Sequence, residues 1–203
     1  TGSHACLRTD VFSQRDTVIP GCVELVSNVR EDARGRFVKT VHAEVFKNNH
    51  LSHNFREQYY SVSNQNVLRG LHFQVPPHDH DKLVYCPSGS VLDTVVAPRR
   101  GSPTFLQHIL IELSEDKANS LYIPAGLAHG FLTLSQTALL VYNVTTEYSP
   151  EHDAGVLWTS ASIPWPVVKP IVSERDRGLP AMADFDSPFT YEGGFGSPTE
   201  LSR

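Results

Sequence analysis

The sequence predicts an antiparallel β-sandwich or β-barrel. Short runs rich in β-branched and aromatic residues dominate the middle of the chain, and glycine and proline turns separate them at a spacing of roughly ten residues. Long amphipathic helical periods are missing from the same block. Together these observations indicate an all-β fold.

The elements follow from these runs in chain order. The DARG stretch at residues 32–35 is predicted as a turn between two strands, and the aromatic run 55–62 as an edge or interface strand. The strands of the middle block are predicted at residues 67–73, 83–86, 90–96, 107–113, 120–123, 131–134 and 138–145. Because the run 106–113 is too apolar to alternate, we expect it to lie inside the fold.

The best helical segment is residues 173–182. Ser173 is its predicted N-cap, and Glu174 and Asp176 fall in its first turn. The tail at residues 193–203 is predicted to be loose. Residues 1–4 have neither the basic nor the apolar segment of a signal peptide, so we treat them as a tag remnant and leave them out of the fold argument.

Composition limits the classes of function. The chain has 203 residues, a net charge of −5, 40% hydrophobic and 19% charged residues, which is a globular composition. We expect one domain over residues 1–203. A net acidic chain is a poor candidate for coating nucleic acid, and no apolar run is long enough for a membrane helix. Cys6, Cys22 and Cys86 form no CxxC motif, so we expect reduced thiols and cytoplasmic residence.

Four motifs carry side chains that could do chemistry. They are RGLHFQ at residues 69–74, HDHDK at 78–82, PAGLAH at 124–129 and PIVSERD at 170–176. Strand alternation puts Arg69 on one face of its strand and His72 and Gln74 on the other. Each motif alone also fits an ordinary structural role. Together they predict a barrel mouth, where small ligands commonly bind, lined by His72, His80, Lys82, His129 and Tyr142.

Two chemistries compete for this mouth. A metal-dependent cupin would use His78, His80 and His129 as ligands, but Val84 and Tyr85 occupy the place where a ligating carboxylate is expected. The alternative is metal-free proton abstraction, which needs a neutral imidazole, an acid that orients it, a cation for the enolate and a proton donor on the opposite face. An imidazole suits this task because its ordinary pKa is about 6.5.

The motifs resemble the dTDP-4-dehydrorhamnose 3,5-epimerase family of nucleotide-sugar epimerases. The resemblance runs from about residue 20 to residue 180 and rests on stretches that occur in the family's order. These stretches are DARG at 32–35, VLRGLHFQ at 67–74, KLV at 82–84, GSPTF at 101–105, IPAGLAHGF at 123–131, WP at 165–166 and PIVSERD at 170–176.

The resemblance implies a cupin-type jelly roll that forms a homodimer with exchanged N-terminal strands and uses no metal or other cofactor. It implies that His72 is the general base, Asp176 its partner, Lys82 the cation near the sugar C4 oxygen and Tyr142 the acid on the opposite face. The positions that it implies for substrate binding are those of Arg34 and Arg69 at the diphosphate, Tyr148 on the base, His129 and Phe131 at the sugar, and Glu57, Tyr59 and Gln74.

This sequence departs from the family pattern near the expected substrate. Glu57 and Tyr59 replace the usual Gln-x-Asn, and Lys39 stands where the family usually has glutamate. The HDHD stretch at residues 78–81 and the alanine at position 97 also differ from the family pattern. The reaction class is therefore better specified than the nucleotide, the sugar or the carbon inverted. A metal-dependent cupin and a nucleotide-sugar-binding cupin without catalysis remain as alternatives.

Overall fold

Two antiparallel sheets pack face to face in a computed structural model that describes residues 6–8 and 11–193. The larger sheet contains, in spatial order, β1 (Cys6–Arg8), β2 (Phe12–Asp16), β3 (Val23–Ser27), β11 (Asn119–Ile123), β8 (Lys82–Ser88), β13 (Thr137–Val144) and β6 (Glu57–Asn64). The smaller sheet contains β10 (His108–Ser114), β9 (Ser90–Val96), β12 (Ala128–Thr133), β7 (Leu68–Gln74) and β14 (Asp153–Gly155). The predicted all-β jelly-roll sandwich is confirmed.

The main core lies between the two sheets. Inward positions alternate along the strands, so that Val84 and Cys86 of β8 meet Val91 and Val95 of β9, with Phe131 of β12 beside them. Burying an aliphatic or aromatic side chain of this size contributes roughly 1.5–3 kcal/mol. The same alternation turns Lys82, two residues before Val84, toward the space between the sheets.

The expectation that residues 106–113 lie inside is wrong. β10 is the edge strand of the smaller sheet and pairs only with β9. Ile109 and Ile111 are half-buried against the main core, whereas Leu110 packs on the outer face of the same sheet. An edge strand has a neighbour on one side only, so an apolar run there is partly covered on both faces rather than enclosed.

Two α-helices occur among the described residues. α1 (Ala43–Asn48) was not predicted, and α2 (Glu174–Arg177) is shorter than the predicted helix at residues 173–182. Ser173 is the N-cap of α2, as predicted, because its Oγ accepts a hydrogen bond from the Asp176 N–H at 3.1 Å. Gly178 ends α2 and Pro180 follows, which stops its continuation. A single 3-10 turn follows at Met182–Asp184.

The N-terminal predictions are confirmed where the structure describes them. Residues 32–35 form the turn of a hairpin between β4 (Arg30–Asp32) and β5 (Gly35–Phe37). The aromatic run at residues 55–62 supplies β6, the edge strand of the larger sheet. Residues 1–4 and the tail after Gly193 lie outside the described residues. Within the described part, no helix is long and apolar enough to cross a membrane.

Candidate active site

A cavity of about 420 Å³ opens at one end of the sandwich, between β6, β8 and β13 on one side and β7 and β14 on the other. Predicted and unpredicted side chains share its wall. The lining residues are Glu57, Tyr59, His72, Phe73, Gln74, His80, Lys82, Val144, Tyr148, Asp153 and Arg175.

A histidine–carboxylate pair lies on the cavity wall. His72 Nε2 is 2.7 Å from Asp176 Oδ1, and Asp176 Oδ2 accepts a hydrogen bond from the Gly70 N–H at 3.1 Å. Burial alone would raise the pKa of Asp176, but the hydrogen bond and charge of His72, together with the Gly70 N–H, outweigh it and hold the pKa below its ordinary value. The ionised carboxylate fixes a proton on Nε2 and leaves Nδ1 of His72 as a free base.

A bulge in β7 changes which residues share a face with His72. Arg69 pairs with Phe131 and His72 with His129, with a shift of register between the two pairs. Gly70 has a φ of +129°, and a Cβ on it would lie 2.6 Å from the Cα of Gly130, so glycine is required there. The prediction that Arg69 and His72 face opposite sides is therefore wrong. Arg69 is exposed but points to the facing sheet, where its Nε donates to Ser63 Oγ of β6 at 3.0 Å.

Lys82 lies next to the histidine–carboxylate pair. Its Nζ donates to the backbone oxygen of His72 at 3.3 Å, and its side chain is buried. No carboxylate of the described residues lies within salt-bridge distance of this ammonium. Burial lowers the pKa of Lys82 to about 8, although the charges of Asp153 and Asp93 oppose the shift. The cavity therefore holds a cation that makes no direct ion pair with a carboxylate of the described residues.

The lowered pKa of Lys82 predicts a pH dependence. Below about pH 8 the amine is the ammonium form, and above it the charge is lost, so any reaction that needs this cation slows as pH rises. We expect the rate at saturating substrate to fall by about ten-fold between pH 7 and pH 9. A pH–rate profile over this interval measures it, and a rate that stays constant to pH 9 would contradict the assignment.

Tyr142 lies on β13 of the larger sheet, opposite the sheet that carries His72. Its hydroxyl is 3.3 Å from Ser61 Oγ, and its ring stacks on Tyr59 and makes an edge-type contact with His129. Tyr142 is 8% exposed and, contrary to the prediction, is not among the residues that line the cavity. Burial raises its pKa above the ordinary value, which keeps the phenol protonated at neutral pH.

The outer end of the cavity is built around Tyr148, whose side chain is largely exposed. Its backbone N–H donates to Glu57 Oε2 at 2.7 Å, and its hydroxyl donates to Asp153 Oδ2 at 3.2 Å. Arg175 Nη2 also donates to Asp153 Oδ2, at 2.6 Å. This chain of contacts holds an exposed aromatic face, a guanidinium and two carboxylates at the mouth.

Gln74 lines the cavity but is already engaged by the backbone. Its Oε1 accepts from the Ser149 N–H at 2.6 Å, and its Nε2 donates to the His78 carbonyl at 2.7 Å. These bonds connect the loops on both sides of the cavity. Gln74 therefore supports the wall of the site as well as forming part of it.

Four predicted binding residues are not brought to the cavity wall. Arg69 is one of them, and it is exposed and bonded to Ser63. His129 is buried and bonded to Asp93 Oδ2 at 2.8 Å, and Phe131 belongs to the main core. Arg34 lies on the exposed turn of the β4–β5 hairpin, where its guanidinium pairs with Asp32 at 2.5 Å.

Sequence reasoning missed two charged residues that line the cavity, Asp153 and Arg175, and also Asp93, which pairs with the buried His129. Arg175 directly precedes Asp176 in the PIVSERD motif, so its place in that motif could have indicated it. Asp153 and Asp93 stand in no motif that singled them out.

The histidines of the metal alternative are held apart. His129 pairs with Asp93, His80 Nδ1 lies 3.0 Å from Thr146 Oγ1, and the ring of His78 packs on that of His152 with centroids 4.3 Å apart. In residues 6–8 and 11–193, no three His, Cys, Asp or Glu side chains come together as a group that could hold a metal ion.

Comparisons with known proteins show the family to which the chain belongs. The family model described as dTDP-4-dehydrorhamnose 3,5-epimerase matches residues 16–184. The dTDP-4-dehydrorhamnose 3,5-epimerase of Shigella flexneri is 37% identical over 173 residues, which cover 84% of this chain and 96% of that relative.

Two solved structures extend the comparison. A dTDP-6-deoxy-D-glucose-3,5-epimerase from Legionella pneumophila, in complex with dTDP-4-keto-L-rhamnose, has a TM-score of 0.85 and 29% identity, covering 89% of this chain and 99% of that one. A 3'-monoepimerase from Streptomyces bikiniensis, in complex with dTDP-quinovose, has a TM-score of 0.78 and 30% identity, covering 82% of this chain and 86% of that one. The chain therefore belongs to the dTDP-4-dehydrorhamnose 3,5-epimerase family.

Proposed function

We propose that this protein is a cofactor-independent isomerase that inverts C3, C5 or both carbons of a nucleoside-diphosphate 4-keto-6-deoxy sugar. One observation carries the proposal. The His72–Asp176 pair, with Nε2 and Oδ1 2.7 Å apart, shares a cavity with the buried ammonium of Lys82. A base with a fixed tautomer next to a cation that is not engaged in a direct ion pair is the arrangement that enolate chemistry requires.

The reaction begins with proton abstraction. His72 Nδ1 takes the hydrogen from the carbon beside the C4 ketone, and the electrons of the broken C–H bond move into the carbonyl to give an enolate. The ammonium of Lys82 stabilises the oxygen on which the negative charge develops. Because burial excludes water from this amine, its charge is less screened than a surface lysine's would be.

Inversion requires the new proton to arrive from the other face. Tyr142 belongs to the sheet opposite His72, and its hydroxyl gives the enolate carbon a proton to form the new C–H bond. The protonated His72 then releases its proton to water, and the tyrosinate takes one from water, so protons and charges balance over the cycle. If His72 returned its own proton instead, the original configuration would be restored.

The nucleotide would lie toward the mouth. The exposed ring of Tyr148 offers a face for stacking on the base, and Arg175, which lines the cavity, brings a guanidinium group, which suits a diphosphate. The relatives in complex with dTDP-4-keto-L-rhamnose and dTDP-quinovose support a nucleotide sugar as the ligand class. Glu57 and Tyr59, which depart from the family pattern, line the same part of the cavity and would influence which nucleotide sugar fits.

We also propose a single domain that works as a homodimer with exchanged N-terminal strands, as the resemblance implies. Arg34 supports this assembly. In one chain it lies on an exposed hairpin outside the cavity, so a diphosphate contact from Arg34 requires a partner subunit. Cys22 and Cys86 are free thiols, which fits cytoplasmic residence.

The test of this function is a panel of dTDP-, CDP- and GDP-linked 4-keto-6-deoxy sugars offered to the purified protein. Product stereochemistry at C3 and C5 is read by NMR, and inversion at either carbon is the expected result. Tight binding without turnover would favour the non-catalytic alternative. Activity lost to a chelator and restored by a metal ion would favour the metal-dependent one. Neither binding nor turnover across the panel would overturn the proposal.

Replacing Tyr142 by phenylalanine should separate the two halves of the reaction. The variant keeps the ring and its packing but loses the proton donor, so we expect deuterium uptake from D₂O to continue while inversion falls by about 10²-fold or more. NMR of the recovered substrate and of the product measures both events. An equal loss of exchange and inversion would contradict the role of Tyr142 as the acid.

A further inference from the structure

Tyr59 and Tyr142 form a stacked pair across two strands. They are direct partners in the pairing of β6 with β13, and both side chains point into the space between the sheets. Their ring centroids are 4.8 Å apart and their planes differ by 18°. One face of the Tyr142 ring is therefore covered by the face of Tyr59.

The two rings differ in their contact with the cavity. Tyr59 lines the cavity and is 42% exposed, whereas Tyr142 is 8% exposed and is not among the lining residues. Tyr142 also packs in the main core, makes an edge-type contact with the His129 ring at a centroid distance of 6.1 Å, and has Ser61 Oγ 3.3 Å from its hydroxyl. Of Tyr59, His129 and Ser61, only Tyr59 lines the cavity.

This position matters because the proposed acid must be held still and kept from bulk water. After abstraction the enolate can take a proton from Tyr142, which inverts the carbon, or take one back from His72, which does not. A phenol that rotates away from the enolate loses this competition. Stacked aromatic rings resist such rotation because movement breaks both their contact and their electrostatic alignment.

The hydroxyl of Tyr59 is not needed for this role. Burial, with the charges of Glu57 and Asp153, raises the pKa of Tyr59 to about 12, so its phenol stays neutral and adds no charge beside Tyr142 at working pH. The ring itself makes the contact. The same strand also carries Tyr60, which is 68% exposed and points to the opposite side of β6, away from the cavity.

We propose that Tyr59 is a positioning residue for Tyr142, and that its ring holds the proton donor in place so that abstraction is followed by inversion. The proposal rests on the proposed function. It concerns a side chain that departs from the usual pattern of the family.

The test compares Tyr59→Ala, Tyr59→Phe and Tyr60→Ala in D₂O with an accepted 4-keto sugar. The readout is the ratio of deuterium exchange without inversion to inversion, counted by NMR on one substrate pool, so changes in KM cancel. We expect Tyr59→Ala to raise this ratio by about three- to ten-fold, the range that the loss of one aromatic pair allows. Tyr59→Phe keeps the ring and should keep the wild-type ratio. Tyr60→Ala removes a ring from the same strand and should leave the ratio unchanged.

The outcomes separate this proposal from the proposed function. If the wild-type protein neither exchanges nor inverts any sugar of the panel, the function itself fails. If the wild-type protein is active and Tyr59→Ala has the wild-type ratio, the positioning role is overturned. The role is also overturned if Tyr59→Phe raises the ratio as much as Tyr59→Ala does, because the hydroxyl rather than the ring would then be responsible. Circular dichroism and thermal unfolding check that each variant is folded.

Discussion

Replacing His72 by alanine is expected to lower both solvent exchange and inversion by about 10²–10⁴-fold, the range typical of losing a positioned general base. His72 is the one imidazole of the cavity wall that is bonded to a carboxylate, with Asp176 at 2.7 Å. The measurement is the initial rate of deuterium uptake by the substrate, alongside the rate of inversion.

The control for this prediction is a histidine of similar chemistry outside the site. His53 is exposed and does not line the cavity, so His53→Ala should keep the wild-type rates. Exchange that survives in His72→Ala at more than about a tenth of the wild-type rate would mean that another group removes the proton. His80, the second imidazole of the cavity wall, would then be the first residue to examine, although burial and Lys82 lower its pKa to about 3 and make it a weak base.

Replacing Lys82 by glutamine should slow the reaction by about 10²–10³-fold, which is the usual cost of removing one group that stabilises a developing oxyanion. The side chain remains long and polar, so packing at the start of β8 is largely retained. The charge is what the variant loses. Because the enolate exists only after abstraction, we expect kcat to fall more than the affinity for substrate changes.

The matched control for Lys82 is Lys117. It lies on the surface, half-exposed and paired with Glu112 at 3.2 Å, and Lys117→Gln should leave kcat and its pH profile unchanged. The decline in rate between pH 7 and pH 9 should persist in Lys117→Gln and disappear in Lys82→Gln. A large rise in KM with an unchanged kcat in Lys82→Gln would instead mean that Lys82 binds the substrate without acting on the enolate.

Much of the fold followed from local patterns in the sequence. The middle strands could be predicted because each run of β-branched residues ends in a glycine or proline turn, and the Ser173 cap could be predicted because its side chain acts on its own helix. The misjudged position of residues 106–113 has a different origin. High apolar content indicates that a strand is at least partly buried. Whether the strand lies at the edge or the centre of a sheet depends on its pairing with strands far away in sequence.

Part of the site could also be predicted from local sequence motifs. His72, Lys82 and Asp176 stand in separate motifs, and the resemblance implied that they meet, as they do around the cavity. The side predicted for Arg69 from strand alternation was wrong because the bulge at Gly70 adds a residue to one strand. A positive φ at a glycine cannot be recognised from the alternation of polar and apolar residues. The stack of Tyr59 on Tyr142 depends on the register between β6 and β13, which neither strand encodes alone.

The measurement that tests the central claim most directly is the isotopic content of the inverted carbon. The wild-type protein converts an accepted 4-keto sugar in D₂O, and mass spectrometry and NMR locate deuterium in the product. Proton abstraction by His72 and delivery by Tyr142 predict one solvent-derived deuterium at every carbon that is inverted. A product that is inverted yet keeps its original hydrogen at that carbon would contradict the account, because the hydrogen would then have moved without passing through these exchangeable side chains.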